Sequence, residues 1–403
     1  MKKKLSFIFI LMLCLLSEAQ TDFISSVAEY ISADSIKYNT EQLESFPSRY
    51  TFSVYSRDVA MYLEQRMLNY GFEVETDSFY VENFVFPSVE DLNSQWIYNI
   101  LALKKGKRKD NKKAVILGAH FDCTSHRLGY TDYKIHAPGA DDNASGVAAL
   151  LEIARIWDKL SISSEYDIRI EFYGGEEQGL TGSDNRLKLL SKTWYIDVLG
   201  MINLDMIGYN ESNILNINIY DNSDDLSQKA ISYTESLTDL STELSTEYIQ
   251  NSDSWTFYSW GFKTVFLTEH DFSPYYHTPQ DSSVYLDFEY MRKVTCVAAA
   301  LALDYAEAFD NTVGLDTDNQ EYKFIISEQN KEHILFCFSP KNINATEASI
   351  IDGMGRTMLS TKLNNTPNST GSYQIDIGKL SSGFYILCIK TDKGLIRNKF
   401  LKH

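Results

Sequence analysis

Glu176 and Glu177 are adjacent carboxylates, set directly behind a short apolar run, Ile168–Tyr173, and a Gly174-Gly175 turn. Like charges side by side repel, and the repulsion raises a carboxylate pKa. The pair becomes reasonable where a cation neutralises one member and the other carries a proton. Four other places in the chain supply what such a cation needs. The apolar run Ala114–Ala119 leads into His120-Phe121-Asp122, and Met201–Leu204 leads into Asp205. The segment Ala137-Pro138-Gly139-Ala140-Asp141-Asp142-Asn143 runs into a helical pattern, which puts Asp142 near a positive helix N-terminus. His277 lies in a Pro274–Pro279 loop.

The elements that must position these groups follow from the hydrophobic pattern. Residues 24–43, 55–70, 143–159 and 288–309 read as helices. In 143–159 the face Val147, Leu150, Leu151, Ala154 and Trp157 points inward. Residues 72–79, 98–103, 114–119, 168–173, 200–205 and 264–268 read as strands. Continuous apolar strands alternating with helices predict an α/β domain: a mixed, largely buried central sheet with helices on both faces. The candidate groups then fall at the carboxyl edge of the sheet, where open α/β sheets form their sites.

His120-x-Asp122, Gly139-Ala140-Asp141-Asp142-Asn143-Ala144-Ser145-Gly146, Glu176-Glu177, Asn203-Leu204-Asp205 and Tyr276-His277-Thr278 occur in that order. Together, over residues 24–309, they resemble the co-catalytic zinc exopeptidases, the family of bacterial leucyl aminopeptidases, glutamate carboxypeptidase II and the glutaminyl cyclases. The resemblance implies two Zn²⁺ ions. His120 and Asp205 would bind one, Glu177 and His277 the other, and Asp142 would bridge both. Asp141 is the alternative bridge, although the Asp-Asn-x-Ser-Gly pattern favours Asp142. Asp122, two residues from His120 on the same strand face, would accept the imidazole N–H of His120 and orient it, and Glu176 would be the general base. Charge agrees: Asp142, Glu177, Asp205 and one hydroxide balance two Zn²⁺ with both histidines neutral, leaving Glu176 over. The implied activity is peptide hydrolysis by an aminopeptidase. A one-zinc glutaminyl cyclase and a non-catalytic surface-binding relative are the alternatives. Where the family often has Ser-Asp-His, this chain has Ser252-Asp253-Ser254, which argues against the cyclase. Cys123 reads as a small buried residue, and His126 and His136 as solvated residues flanking the site. Glu269, His270, Tyr275 and Tyr276 are candidate pocket walls.

The chain has 403 residues and a net charge of −18, which excludes nucleic acid as a natural partner. The charge is uneven. Residues 320–403 hold 11 Lys and Arg against 7 Asp and Glu, a net of +4, so the rest carries −22. The asymmetry sets a linker at 310–320, between a catalytic domain (20–309) and a C-terminal domain (321–403). Lys2-Lys3-Lys4, an apolar run Leu5–Leu16 and Ser17-Glu18-Ala19 read as a signal peptide over residues 1–19. No later stretch is long and apolar enough to span a bilayer. Short strands at 324–327, 334–338, 348–352, 373–377 and 383–390 read as a small β-sandwich. Ile350–Arg356, Ile375–Leu387 and Gly394–Phe400 resemble the C-terminal sorting domain of the type IX secretion system. That resemblance implies export to the cell surface or medium, with the secretion machinery as partner. Cys337 and Cys388 read as two buried thiols or one bridge.

Overall fold

The computed structural model describes residues 20–402 except 86–91, 109–111, 133, 194–196, 311–322, 330–331, 340–344, 353–356, 364–371, 382 and 392–393. The leader at 1–19 and the linker from residue 311 onward lie outside the described residues. Two compact units make up the chain, one ending at Asp310 and one beginning at Asn311. Among the described residues no helix is long and apolar enough to cross a membrane.

In the first unit the strands are β1 (Glu73–Val85), β2 (Leu92–Lys104), β3 (Lys113–His120), β4 (Ile162–Ser164), β5 (Asp167–Tyr173), β6 (Asp197–Leu204), β7 (Ile214–Asn218), β8 (Ser241–Ser245), β9 (Thr264–Glu269) and β10 (Ala308–Asp310). The helices are α1 (residues 20–28), α2 (Ala33–Glu44), α3 (Ser56–Asn69), α4 (Ala144–Lys159), α5 (Thr181–Thr193), α6 (Asp224–Leu237), α7 (Asp253–Ser259) and α8 (Phe288–Tyr305). Eight strands form one sheet, in the order β1-β2-β5-β3-β6-β9-β7-β8, while β4 and β10 pair separately. The central four, β5-β3-β6-β9, are parallel. Antiparallel neighbours join at β2 and β7, so the sheet is mixed.

Side chains alternate across these strands, as the period of two requires. Val115, Leu117 and Ala119 of β3 join a core with α2, α3, α4, α6 and α8, whereas Ile116 faces a smaller cluster that includes Leu187 of α5 and Phe257 of α7. Helices therefore cover both faces. The inward residues expected on α4 are buried, and so is nearly all the rest of that helix apart from Arg155, Asp158 and Lys159. An all-round apolar helix of this kind packs inside a domain rather than on its surface.

Two expected helices differ in extent. The pattern over 24–43 is broken at Glu29–Ser32, because Ser32 starts α2 afresh by accepting from Ser35 N, while its own N–H donates to Glu152 Oε1 at 2.8 Å. The helix expected to run to 309 ends at Tyr305. Glu307 turns the chain at φ +48°, and Ala308–Asp310 then pairs with β4.

Local chemistry brings the start of α4 against the end of β6. Asn143 caps α4 by accepting from Gly146 N (2.9 Å) and donates its amide to Leu204 O (2.9 Å). Gly146 lets the two backbones touch: a Cβ there would lie 2.4 Å from Leu204 O. Replacing Gly146 by Ala is expected to destabilise the fold by about 1–3 kcal/mol through this overpacking, read as a lowered urea midpoint at unchanged slope.

The second unit holds β11 (Lys323–Gln329), β12 (His333–Ser339), β13 (Ala345–Asp352), β14 (Thr357–Lys362), β15 (Ser372–Asp376), β16 (Gly383–Thr391) and β17 (Gly394–Lys402). They form two sheets, β11-β12-β15 and β14-β13-β16-β17, with every pairing antiparallel. Ile334, Phe336, Tyr373 and Ile375 of one sheet share a single apolar cluster with Ala348, Ile350, Leu387 and Ile389 of the other. Cys388 is a buried free thiol, and the Cys337 side chain lies outside the described residues.

Candidate metal centre

The parallel strands deliver the candidate groups to one edge. β3 ends on His120, β6 ends one residue before Asp205, and β5 runs into the Gly174-Gly175 turn that carries Glu176 and Glu177. Gly175 has φ +77°, a conformation that glycine adopts without the Cβ penalty. Asp142 lies two residues before α4, and His277 arrives on the loop after β9.

Among the described residues these side chains form two acid–histidine groups with one shared member. His120 Nε2 lies 3.1 Å from Asp205 Oδ1 and 3.2 Å from Asp142 Oδ1. His277 Nε2 lies 3.0 Å from Asp142 Oδ2 and 2.8 Å from Glu177 Oε2. In each group the ligand atoms lie within 4.8 Å of one another. Asp142 thus presents one oxygen to each group. Glu176 belongs to neither, with Oε2 4.0 Å from His120 Nε2. Glu177 Oε1 and His277 Nε2 are buried and make no well-aligned hydrogen bond, although Nε2 lies 3.0 and 2.8 Å from two carboxylate oxygens. Buried polar atoms are nearly always partnered, so an imidazole nitrogen that faces carboxylate oxygens without a good hydrogen bond suits a metal ion. A mixed imidazole and carboxylate set is ordinary zinc chemistry.

Hydrogen bonds from behind fix the Asp142 backbone and the Asp205 carboxylate. Asp281 accepts from the N–H groups of Asp141 (2.8 Å) and Asp142 (3.1 Å). Asn203 donates to Ser252 Oγ, which donates to Asp205 Oδ2 (both 2.6 Å), leaving Oδ1 to face His120. Asp141 points away from the groups and accepts from Gly208 N at 2.9 Å, so it braces the turn. His277 and Met206, beside Asp205, hold φ of +56° and +54°. Left-handed backbone at a non-glycine residue costs on the order of 1–3 kcal/mol and clusters at functional sites.

Asp122 differs from expectation. β3 ends at His120, so Asp122 is not on the strand. The His120 Nδ1 hydrogen bond goes to the main-chain carbonyl of Asp122 at 3.1 Å, and the carboxylate is 3.6 Å away. That carboxylate instead accepts from Glu176 N (3.1 Å), Glu177 N (3.3 Å) and the Thr51 hydroxyl (2.9 Å). It orients the glutamate turn directly and the imidazole only through its backbone. His126 also departs from its expected solvated position: it is half-buried, its ring 5.1 Å from that of His277, while His136 is exposed. Burial pushes the Cys123 thiol up to about 12, so it is no thiolate nucleophile. Thr51, Ser252 and Asp281 escaped the sequence reading. Only Ser252 had a signal, the Ser-Asp pair ahead of the missing histidine.

Electrostatics follow from crowding. Burial pulls the His277 pKa down, but Glu177 and Asp142 outweigh it and raise it to about 10. His120 is likewise raised well above its usual value, burial being outweighed by Asp205 and Glu176. Burial, with Asp205 and Glu177, holds Glu176 far above the ordinary carboxylate range against the pull of His120. Burial raises Glu177 to about 7. A proton on either imidazole or on Glu177 opposes ligation, so metal binding is expected to release protons and to tighten as pH rises. Zinc calorimetry in buffers of different ionisation enthalpy measures this, and binding without proton release would contradict it.

A cavity of about 240 Å³ opens on the centre. His120, Asp142, Glu176, Glu177 and Asp205 line it together with Met206, Tyr248, Phe266, Phe272 and Tyr276, and with the polar Asn251 and Thr268. Glu269 also lines it, with its two oxygens accepting from Tyr209 N and Ser273 N. Tyr276 stacks on His277 with ring centroids 3.6 Å apart.

An open α/β sheet with paired acid–histidine groups at its carboxyl edge has the architecture of a metallopeptidase. Residues 99–302 match Peptidase family M28, and residues 330–403 match a secretion system C-terminal sorting domain. A probable leucine aminopeptidase of Arthroderma benhamiae is 30% identical over 299 residues, 71% of this chain and 76% of that protein. The LapA aminopeptidase of Legionella pneumophila superposes with a TM-score of 0.58 at 23% identity, over 71% of this chain and 74% of that one. A zinc aminopeptidase from Bacillus subtilis superposes with a TM-score of 0.59 at 17% identity, over 68% and 95%. At such identities the two structures establish the fold alone. The chain belongs to peptidase family M28, and its C-terminal unit is a secretion sorting domain.

Proposed function

We propose that this peptidase is a di-zinc aminopeptidase that removes apolar N-terminal residues from peptides. The observation that carries the reading is Asp142, which presents one carboxylate oxygen to each of two acid–histidine groups while Glu176 stays outside both. His120, Asp205 and Asp142 would hold one zinc, and Glu177, His277 and Asp142 the other. Bound there, zinc would polarise the scissile carbonyl and acidify the attacking water. Glu176 takes the proton from that water and passes it to the leaving amine. Asp122 holds the backbone of the Glu176-Glu177 turn, so the base keeps its place through the cycle. Burial and the surrounding carboxylates raise the pKa of Tyr276, which therefore stays protonated beside the reaction.

The apolar wall of Met206, Tyr248, Phe266 and Phe272 would take the N-terminal side chain. The cavity is smaller than the ~300–1,000 Å³ of typical small-molecule sites, which suits one residue rather than a stretch of chain. Support also comes from the aminopeptidase names of the relatives. The sorting domain supports export by type IX secretion to the surface or medium, and the lysines and apolar run at the start of the sequence support a signal peptide at residues 1–19. The shared cluster of its two sheets supports a β-sandwich for that unit. A panel of aminoacyl chromogenic substrates, N-acylated peptides and N-terminal glutamine peptides tests the proposal. Hydrolysis of the unblocked apolar members is expected. Turnover confined to the N-acylated peptides, or cyclisation of glutamine, would overturn it.

A further inference from the structure

Arg49 is among the largest fully buried side chains, with 1% exposure. A guanidinium remains charged in a protein, and one so deeply buried ordinarily pairs with a carboxylate. Arg49 instead donates to main-chain carbonyls. Its Nε reaches Phe121 O (2.9 Å), Nη1 reaches Pro138 O (2.5 Å) and Leu43 O (3.2 Å), and Nη2 reaches Gly139 O (2.6 Å). Phe121 sits between His120 and Asp122, and Pro138-Gly139 opens the loop that ends in Asp141-Asp142. These two loops touch. A Cβ on Gly139, at φ +53°, would lie 2.4 Å from Cys123 Cβ.

The neighbours of Arg49 extend the tie. Pro47 O accepts from Ala137 N at 3.0 Å, and Ser48 bridges to Ala137. Thr51 donates to Asp122, whose carboxylate holds the N–H groups of Glu176 and Glu177. One short segment before α3 thus reaches three of the loops that carry candidate ligands. Nothing in its pattern of types announces this, because the partners of Arg49 on the two ligand loops are carbonyls far along the chain.

We propose that Arg49 is a positioning residue for the metal pair, with Thr51 as its companion. The guanidinium locks the His120–Asp122 loop to the Pro138–Asp142 loop, and so sets the placement of His120 against Asp142. Thr51, through Asp122, does the same for Glu177. The inference rests on the two-zinc reading above. Its distinguishing consequence lies in the metal sites. Because Asp142 serves both sites, weakening Arg49 should loosen both, whereas weakening Thr51 should act mainly on the Asp142–Glu177–His277 site, with the folded sheet intact. A role in stability alone would lower the melting temperature and leave both zinc affinities unchanged.

The test titrates zinc into metal-free wild type, Arg49→Lys and Thr51→Val against a competing chelator, after circular dichroism has established folding. A lysine keeps the charge, but its single nitrogen cannot span carbonyls on both loops. The expected result for Arg49→Lys is both zinc steps weakened, at least one of them tenfold, with activity restored by added zinc. For Thr51→Val one step weakens by a smaller factor. If Arg49→Lys does not fold, Arg49→Gln is titrated in its place, because a neutral side chain leaves no charge buried without its partners. Wild-type affinities at both steps in a folded variant would overturn the inference. Absence of zinc binding by wild type would instead overturn the two-zinc reading itself.

Discussion

Replacing Glu176 by Gln should stop turnover and leave the metals in place. Glu176 lies 4.0 Å from His120 Nε2 yet belongs to neither acid–histidine group, so its loss removes no ligand. Gln has nearly the same shape, and the main-chain N–H of residue 176 would still be held by Asp122 at 3.1 Å. What disappears is the group that accepts and returns a proton. General acid–base catalysis contributes ~10²–10⁴-fold, so kcat should fall by about that factor with KM little changed. Zinc content measured on the same sample should equal that of wild type. A Glu176→Gln enzyme with normal kcat would remove the proton-carrier assignment, and one lacking zinc would make Glu176 a ligand.

Replacing Asp142 by Asn should have the opposite signature. Asp142 Oδ1 faces His120 and Oδ2 faces His277, so a single substitution touches both groups. The amide nitrogen of Asn is a donor and no ligand, and the negative charge that would screen two dications is gone. The loop should survive, because Asp281 holds it through the N–H groups of residues 141 and 142. Both zinc ions should be lost, and activity should fall to background. His277→Ala removes a member of one group only, and should spare the other ion. If Asp142→Asn keeps two zincs, the shared-ligand arrangement is wrong.

The contrast between these two variants reflects how far the site could be read from residue types. His120, Glu177 and Asp205 were legible as candidates because each follows an apolar run, and Asp142 because it precedes a helix, and strand ends in an open α/β sheet converge on one edge; His277 sits in a loop and was legible only through the order of the motifs. The paired topology of β5, β3, β6 and β9 brings them within contact, as that rule requires. The supports behind them were not legible. Ser252 and Asp281 act on their partners across 47 and 139 residues of sequence or more, and no local pattern encodes such a pairing. Asp122 was misread for a subtler reason. Two-residue spacing implies a shared strand face only while the strand lasts, and β3 ends at His120.

Among the elements, the long apolar strands and α4 stood out, whereas β7, β8, α5, α6 and α7 did not. β8 reads Ser-Thr-Glu-Leu-Ser, with one apolar residue, and owes its conformation to pairing with β7 rather than to its own pattern. The break between α1 and α2 was hidden because the apolar spacing continues across it. Only the capping hydrogen bond at Ser32 and its contact with Glu152 reveal the interruption.

The central claim is that one carboxylate joins two metal sites, and zinc counting tests it most directly. The full chain is loaded with zinc near neutral pH, freed of loose metal by gel filtration, and analysed for zinc per folded molecule beside Asp142→Asn. Two zincs per wild-type chain, both lost together in Asp142→Asn, is the expected result. One zinc per wild-type chain, or two that survive the substitution, would contradict it.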